Sequence, residues 1–425
     1  MAIQFPSSPT LNQTYTYNSI TWTYNGKGWT KSTTAASTLP TQTGNSGKYL
    51  TTNGTAASWG TLVITPPTPT AVSDQANTST GYFDLPTGTT AQRPENPADG
   101  YTRINTSTDA IEVYYKNAWN NINYLGTLVA TGGTISYSGN YKIHTFLSSG
   151  VFTITDAPAA GAPIEYLVVG GGGGGGYSLS GGGGGGAVIY NAARTIVPGS
   201  YNVIVGSGGA SLTTGTTSTF YNEGATGGGG GANRQYGTPS YYPSAGANGA
   251  GGTGDNVGTV GAQGVAPTGQ AGSLVYAGFK GGNGGSGSPN YAGGGGAGAN
   301  GNGVNQAGSG GAGGPGKQID IVGFGNYYYG GGGGGSHYTS GGTAGNGGLG
   351  GGGSASISAG TVGSGGTGGI NPGGTGSNGN GNGNAHLTGG AGGANTGGGG
   401  GSGSHQEGPG GAGGSGIVVI KYRYI

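Results

Sequence analysis

The stretch YLVVGGGGGGGYSLSGGGGGGAVIY, residues 166–190, places two long glycine tracts between two strand-like apolar runs, Tyr166–Val169 and Ala187–Tyr190. Fixing a glycine costs about 0.5–1 kcal/mol more than fixing an alanine, because glycine reaches more of backbone space when free. A flexible linker avoids that cost by staying disordered. The flanking runs read as paired strands that need a defined connection, so the glycines are expected to be ordered. The pattern is not local: of 114 glycines, 15 precede residue 170 and 99 fall in the last 256 positions.

Disordered chains stay expanded largely through charge, and here charge is scarce. From residue 170 onward the basic residues are Arg194, Arg234, Lys280, Lys317, Lys421 and Arg423, and the acidic ones Glu223, Asp255, Asp320 and Glu407. A neutral, glycine-rich, tyrosine-rich segment is better read as packed than as solvated. Plain disorder remains the competing reading on composition alone, and the strand-like ending GIVVIKYRYI weighs against it.

The glycines of the insertion show a partial period of three. Gly246, Gly249, Gly252, Gly258, Gly261 and Gly264 share one phase, and Gly278, Gly281, Gly284, Gly287, Gly293, Gly296, Gly308, Gly311 and Gly314 share another. Three residues per turn is the period of polyproline II, whose backbone makes no internal hydrogen bonds. Each such rod must therefore find its partners on neighbouring rods, and glycine lets rods approach closely enough. Collagen is excluded, since a strict Gly-X-Y register is absent and the chain has 19 prolines.

Elsewhere the chain reads as short strands. Thr14–Tyr17 and Ile20–Tyr24 alternate, with Asn25-Gly26 as a turn before Trp29. A second module at 32–70 carries Asn53-Gly54, Trp59 and the linker TPPTPT, and a third at 71–125 carries Tyr101–Asn105 and Ile111–Tyr115. In residues 126–425 strand candidates cluster at the two ends: Thr134–Tyr137, Tyr141–Phe146, Val151–Thr155, Ile164–Val169, Ala187–Tyr190, Tyr201–Val205 and Ile417–Tyr424. The expected fold is mostly β with little or no helix: small N-terminal hairpin modules, then a β-sandwich-like domain whose last strand returns beside early ones, holding a large insertion of polyglycine rods.

A formal charge of +1 removes the electrostatic case for nucleic acid. No apolar run reaches the roughly 18 residues of a membrane span, and MAIQFPSSPT lacks the basic start and apolar core of a secretory signal. Without cysteine there is no disulfide framework or thiolate metal site. No cofactor or metal is expected. Catalysis is not expected either: His144, His337, His386 and His405 come with no serine elbow, HExxH or paired carboxylates, and GxGxxG matches carry no meaning amid so much glycine.

Side chains can emerge from glycine rods only where the pattern breaks. The breaks are RQYGTPSYYP, SPNYAGG, FGNYYYGG, SHYTSGG, NAHLTGG and SHQEGPGG. They supply Tyr236, Tyr241, Tyr242, Tyr291, Tyr327, Tyr328, Tyr329, His337, Tyr338, His386 and His405 as candidate contacts for a surface ligand. Tyrosine with small polar residues gives rigid aromatic area and adaptable hydrogen bonding. The competing reading is that these rings cap rod ends or pack between rods.

The segments FPSSPTLNQTYTYNSITWTYNGKGW, SGKYLTTNGTAASW and GTTAQRPENPADGYTRINTSTDAIEVYYKNAW are similar to modules of bacteriophage tail fibres. KIHTFLSSGVFTIT, EYLVVGGGGGGG and GGSGIVVIKY resemble the glycine-rich domain of phage fibre and adhesin proteins. The resemblance implies a virion protein made in the host cytoplasm, a homotrimer that meets other tail or baseplate proteins through its N-terminal module, with Phe5, Trp22 and Trp29 as attachment candidates. It also implies a glycine-rich tip that recognises a host surface polysaccharide or outer-membrane protein. A purely structural fibre, head or baseplate appendage carries the same modules. An ice-binding protein is the remaining alternative, against which the irregular threonines count.

Overall fold

The structure, a computed structural model, describes residues 3–32, 39–63, 85–124, 128–158, 160–233, 242–254, 258–286, 291–338, 341–379, 386–404 and 408–424. The chain divides into two compact units, 1–82 and 83–425. Strands dominate both, and the one helical element among the described residues is a 3-10 turn at Thr90–Gln92.

In the first unit, Thr14–Tyr17, Ile20–Tyr24 and Trp29–Lys31 form a three-stranded antiparallel sheet. Asn18 and Ser19 both take positive φ, as a tight two-residue hairpin turn requires. The Asn25 side chain accepts from the backbone N–H groups of Lys27 and Gly28, closing the second turn. Phe5 stacks on Trp29 at 5.1 Å and meets Trp22 edge-on at 5.5 Å, so aromatic contact does the work of a core too small to form otherwise. A separate hairpin pairs Tyr49–Thr52 with Ala57–Gly60, and the Trp59 indole donates to Pro40 O.

The second unit opens with a four-stranded sheet, Thr87–Gly88, Thr102–Asn105, Ala110–Tyr115 and Ala118–Tyr124. Beneath it, Glu112 is fully buried and accepts from Arg93 and Asn105. Burial pushes the Glu112 carboxyl up, but those hydrogen bonds and the charges of Arg93 and Arg103 outweigh it and hold the pKa below the usual range.

A six-stranded antiparallel sheet organises the rest, in the order Thr134–Ser138, Tyr141–Phe146, Ile417–Arg423, Ala162–Val169, Val188–Ile196, Ser273–Tyr276. The C-terminal strand does return beside early ones, and it lies between two of them in the sheet. On one face a smaller sheet of Val129–Thr131, Gly150–Asp156 and Gly199–Val203 completes a sandwich around Phe152, Tyr166, Val168, Val418, Ile420 and Tyr422. On the other, the hairpin Lys317–Ile321/Gly325–Tyr329 covers Ile143, Leu167, Val169, Ile417 and Val419. Burial on both faces explains why GIVVI is a continuous apolar run where a one-sided sheet would alternate.

The glycine tracts leave this sheet as extended rods joined to one another by backbone hydrogen bonds. In Gly170–Gly176 the N–H groups rotate among three neighbours: Gly170, Gly173 and Gly176 donate to Ala187, Gly184 and Gly181; Gly171 and Gly174 to Thr216 and Thr213; Gly172 and Gly175 to Gly414 and Gly411. The carbonyls reach three further segments, with Gly171 and Gly174 accepting from Gly228 and Gly231, Gly172 and Gly175 from Gly209 and Leu212, and Gly173 and Gly176 from Gly400 and Gly403. One rod thus has six neighbours, each met at every third residue. That is polyglycine packing of the kind the period of three implies.

None of Gly170–Gly176 takes a positive φ, so glycine is needed here for closeness and not for backbone freedom. A Cβ on Gly172 would fall inside 3.0 Å of the carbonyl oxygen of Gly398, and one on Gly173 inside 3.0 Å of Gly229 O. Those oxygens are themselves tied to neighbouring rods, Gly398 O accepting from Gly414 N and Gly229 O from Gly184 N.

Two predictions follow from these contacts. Overpacking a tight interior costs about 1–3 kcal/mol or more; Gly172→Ala and Gly413→Ala are expected to destabilise by at least that much in denaturant unfolding, whereas Gly28→Ala, with open space around it, changes little. The second concerns His144, buried between Phe152 and Tyr422, with Nδ1 at 2.6 Å from Gly132 O and Nε2 at 3.1 Å from the Tyr422 hydroxyl. Burial lowers its pKa to about 4. The unfolded chain therefore binds the proton first, and this contribution to stability is intact above about pH 6.5 and lost as pH falls towards 4. Urea midpoints measured from pH 7 to pH 4 should fall in the wild type and fall less in His144→Gln.

Candidate functional site at the far end of the glycine bundle

Each rod has an end at the sheet and an end away from it. Gly170 follows the strand Ala162–Val169 and Ala187 precedes Val188–Ile196, so the turn Tyr177–Ser180 between them marks the far end. Register carries that assignment to other rods. Tyr177 bridges Asn233, Ser178 N donates to Gly408 O, Gly254 N donates to Leu179 O, and Ser336 N donates to Ser180 O. His337 in turn bridges Ala292 and Ile357, Ile357 bridges Asn378, and Ser404 N donates to Leu387 O. Rod ends separated by more than two hundred residues in sequence are thereby assembled at one pole.

Most of the breaks in the glycine pattern belong to this pole. Tyr242 lies two residues before Ser244, whose N–H donates to Gly230 O, and is 81% exposed. Tyr291 and Tyr338 meet edge to face at 6.0 Å, with Tyr338 N donating to Tyr291 O, and Tyr338 is 40% exposed. His386 is exposed beside Leu387. His337 sits in the same layer, buried, with its ring against Gly342. Tyr236, Tyr241 and His405 lie outside the described residues.

The break FGNYYYGG is at the opposite pole. Its tyrosines belong to the hairpin packed on the six-stranded sheet: Tyr329 is buried in that core, Tyr327 is half-buried against Phe324 at 6.0 Å, and Tyr328 is half-buried over Gly368. Burial, with Tyr327 close by, pushes the Tyr329 phenol well above its ordinary pKa. These three rings are therefore not brought together with Tyr242, Tyr291, Tyr338 and His386. Phe5, Trp22 and Trp29 are brought together, as the half-buried aromatic cluster of the first unit.

Residues that the sequence reading passed over also reach the far pole. Tyr177 and Asn233 pair across two rods, and exposed Asn378 donates to Gly360 O. Tyr177 had a signal, as the first residue between the two glycine tracts. Asn378 had none, because asparagines are scattered throughout the insertion. Serines support the layer from beneath: buried Ser180 donates to Ala232 O at 2.8 Å and buried Ser356 to Leu387 O at 2.9 Å.

Chemically, the pole offers aromatic rings, imidazoles, hydroxyls and amides. Among the described residues no group of three or more His, Cys, Asp or Glu is placed to hold a metal ion, and no helix is long and apolar enough to cross a membrane. The arrangement is suited to contact and hydrogen bonding.

Comparison with known proteins places the bundle in a family. No curated protein matches the chain. The family model described as a glycine-rich domain matches residues 147–383, which take in the sandwich strands from Gly150 onward and most of the rods. With more than half of its length matched, the chain belongs to this glycine-rich domain family.

Proposed function

We propose that this protein is a bacteriophage tail fibre component that attaches to the virion through its N-terminal module and recognises a host-surface receptor through the far pole of its glycine bundle. The observation that carries the reading is the segregation just described: Tyr242, Tyr291, Tyr338 and His386 collect at one end of the bundle, away from the sheet. A scaffold whose rods are tied to one another by backbone hydrogen bonds holds those side chains in place without ordering them anew on binding, which lowers the entropy cost of association. Connections on rigid scaffolds carry binding residues more often than their length suggests.

Within this reading the receptor is a host polysaccharide or outer-membrane protein. Tyr242, Tyr291, Tyr338 and His386 are the contacts among the described residues, with Tyr236, Tyr241 and His405 as further candidates from the sequence. Trimeric assembly would turn weak single contacts into avidity. Attachment to a tail or baseplate protein falls to the Phe5, Trp22 and Trp29 module. The purely structural alternative draws support from Tyr327, Tyr328 and Tyr329, which pack at the base as a spacer would require.

Binding of the fluorescently labelled full chain to a panel of bacterial strains tests the proposal. Selective labelling by the parent, lost in Tyr242→Ser/Tyr338→Ser/His386→Ser and kept in Tyr327→Ser/Tyr328→Ser, is the expected result. Labelling that survives the far-pole substitutions, or a folded parent that labels no strain, goes against it.

A further inference from the structure

The small sheet at the start of the second unit carries a feature separate from the far pole. There a cavity of 520 Å³ is lined by Pro86, Gln92, Pro94, Tyr101, Arg103 and Trp119, among others. Its size falls within the range of small-ligand sites, and its lining is of the usual kind, rings and apolar walls with a few polar groups.

The floor is rigid. Arg103 is 6% exposed, its Nη1 donates to Gln92 O at 2.7 Å and its Nη2 to Thr89 O at 3.1 Å, while Nε faces Glu112 at 3.5 Å. The same Glu112 holds Arg93 through two hydrogen bonds of 3.2 and 2.6 Å, and the Arg93 guanidinium lies 5.7 Å from the centre of the Trp119 ring. Tyr114 packs edge-on against Trp119 at 5.5 Å. Trp119 is thus fixed from two directions, which is the preorganisation a binding ring needs.

The walls are aromatic and the unused polar groups are few. Tyr101 is 49% exposed and Trp119 half-buried. Gln92 uses its side-chain oxygen to accept from Thr89. Its Nε2, the Trp119 Nε1–H and the Tyr101 hydroxyl make no hydrogen bond among the described residues. The guanidinium groups nearby are already engaged by Glu112 and by carbonyls, so they offer little to a phosphate or carboxylate.

We infer that this cavity binds an uncharged pyranose: the apolar C–H face of the sugar lies on Trp119 and Tyr101, and its hydroxyl oxygens accept from Gln92 Nε2 and Trp119 Nε1. A lipid chain would leave those donors unpaired, and an anion would meet guanidinium groups whose hydrogen bonds are already directed at Glu112 and at the carbonyls of Gln92 and Thr89. A pyranose presents both an apolar face and a rim of acceptors, and its hydroxyls can also donate to the Tyr101 oxygen.

Saturation-transfer NMR of the full chain with hexoses, N-acetylhexosamines and their short oligomers at millimolar concentration tests the assignment. Transfer to ring-face protons of at least one of these sugars is expected. Tyr101→Ala should weaken binding at least about tenfold, the size of an ordinary aromatic contact loss, with unchanged thermal unfolding. Trp119→Phe, which keeps a ring and removes the donor, should weaken it less, and Tyr242→Ser at the far pole should not alter it. Absence of transfer from every sugar overturns the inference. So does transfer that Tyr101→Ala and Trp119→Phe both leave intact.

Discussion

The glycine bundle of the second unit depends on the backbone hydrogen bond between rods that carry no Cβ. An extended rod with three residues per turn cannot satisfy its own N–H and C=O groups, and burying them unpaired is costly. The bundle resolves this by packing rods side by side, so that in the central rod three successive N–H groups reach three different segments, as Gly171, Gly172 and Gly173 reach Thr216, Gly414 and Gly184. The geometry leaves no room for a methyl group between Gly172 and Gly398 or between Gly173 and Gly229. The interior is therefore held by main chain, where most proteins rely on apolar side chains.

Such a bundle needs an anchor and permits an end. The anchor is the six-stranded sheet, whose central strand Ile417–Arg423 comes from the far end of the sequence and pairs on both sides. The rods at 170–176, 181–187 and 410–416 run directly out of or into that sheet, and rod-to-rod hydrogen bonds carry their register to the others. Buried serine is accommodated where its hydroxyl finds a carbonyl, as Ser180 does at Ala232 and Ser356 at Leu387, and tyrosine, histidine and asparagine where rods turn. The steric rule that fills the interior with glycine leaves Tyr242, Tyr291, Tyr338 and His386 at the far pole, where rods turn.

Much of this was legible in the sequence. The strands Thr14–Tyr17 and Ile20–Tyr24 stand as alternation placed them, and the return of the C-terminal strand to early ones followed from the clustering of strand candidates at the two ends of residues 126–425. The period of three announced rods that pair with one another. The sheet order was not legible, because all its strands are short apolar runs of similar composition. The site was partly legible. SPNYAGG, SHYTSGG and FGNYYYGG look alike as breaks in a glycine pattern, yet the first two contribute Tyr291 and Tyr338 to the far pole and the third forms a hairpin strand ending in buried Tyr329. The distinguishing feature is KQIDI at Lys317–Ile321, an alternating partner strand that the other breaks lack. Burial of His337 was equally hidden, since it depends on which rod lies beside it.

The most direct test of the account is amide hydrogen exchange across the glycine tracts, followed by mass spectrometry on peptides spanning 170–187, 397–404 and 408–416. In a bundle where the rods bond to one another, these peptides should exchange as slowly as the central strand Ile417–Arg423, although they contain hardly any side chains to protect them. Exchange at the rate of an unstructured glycine-rich peptide, with the strand itself protected, would contradict it.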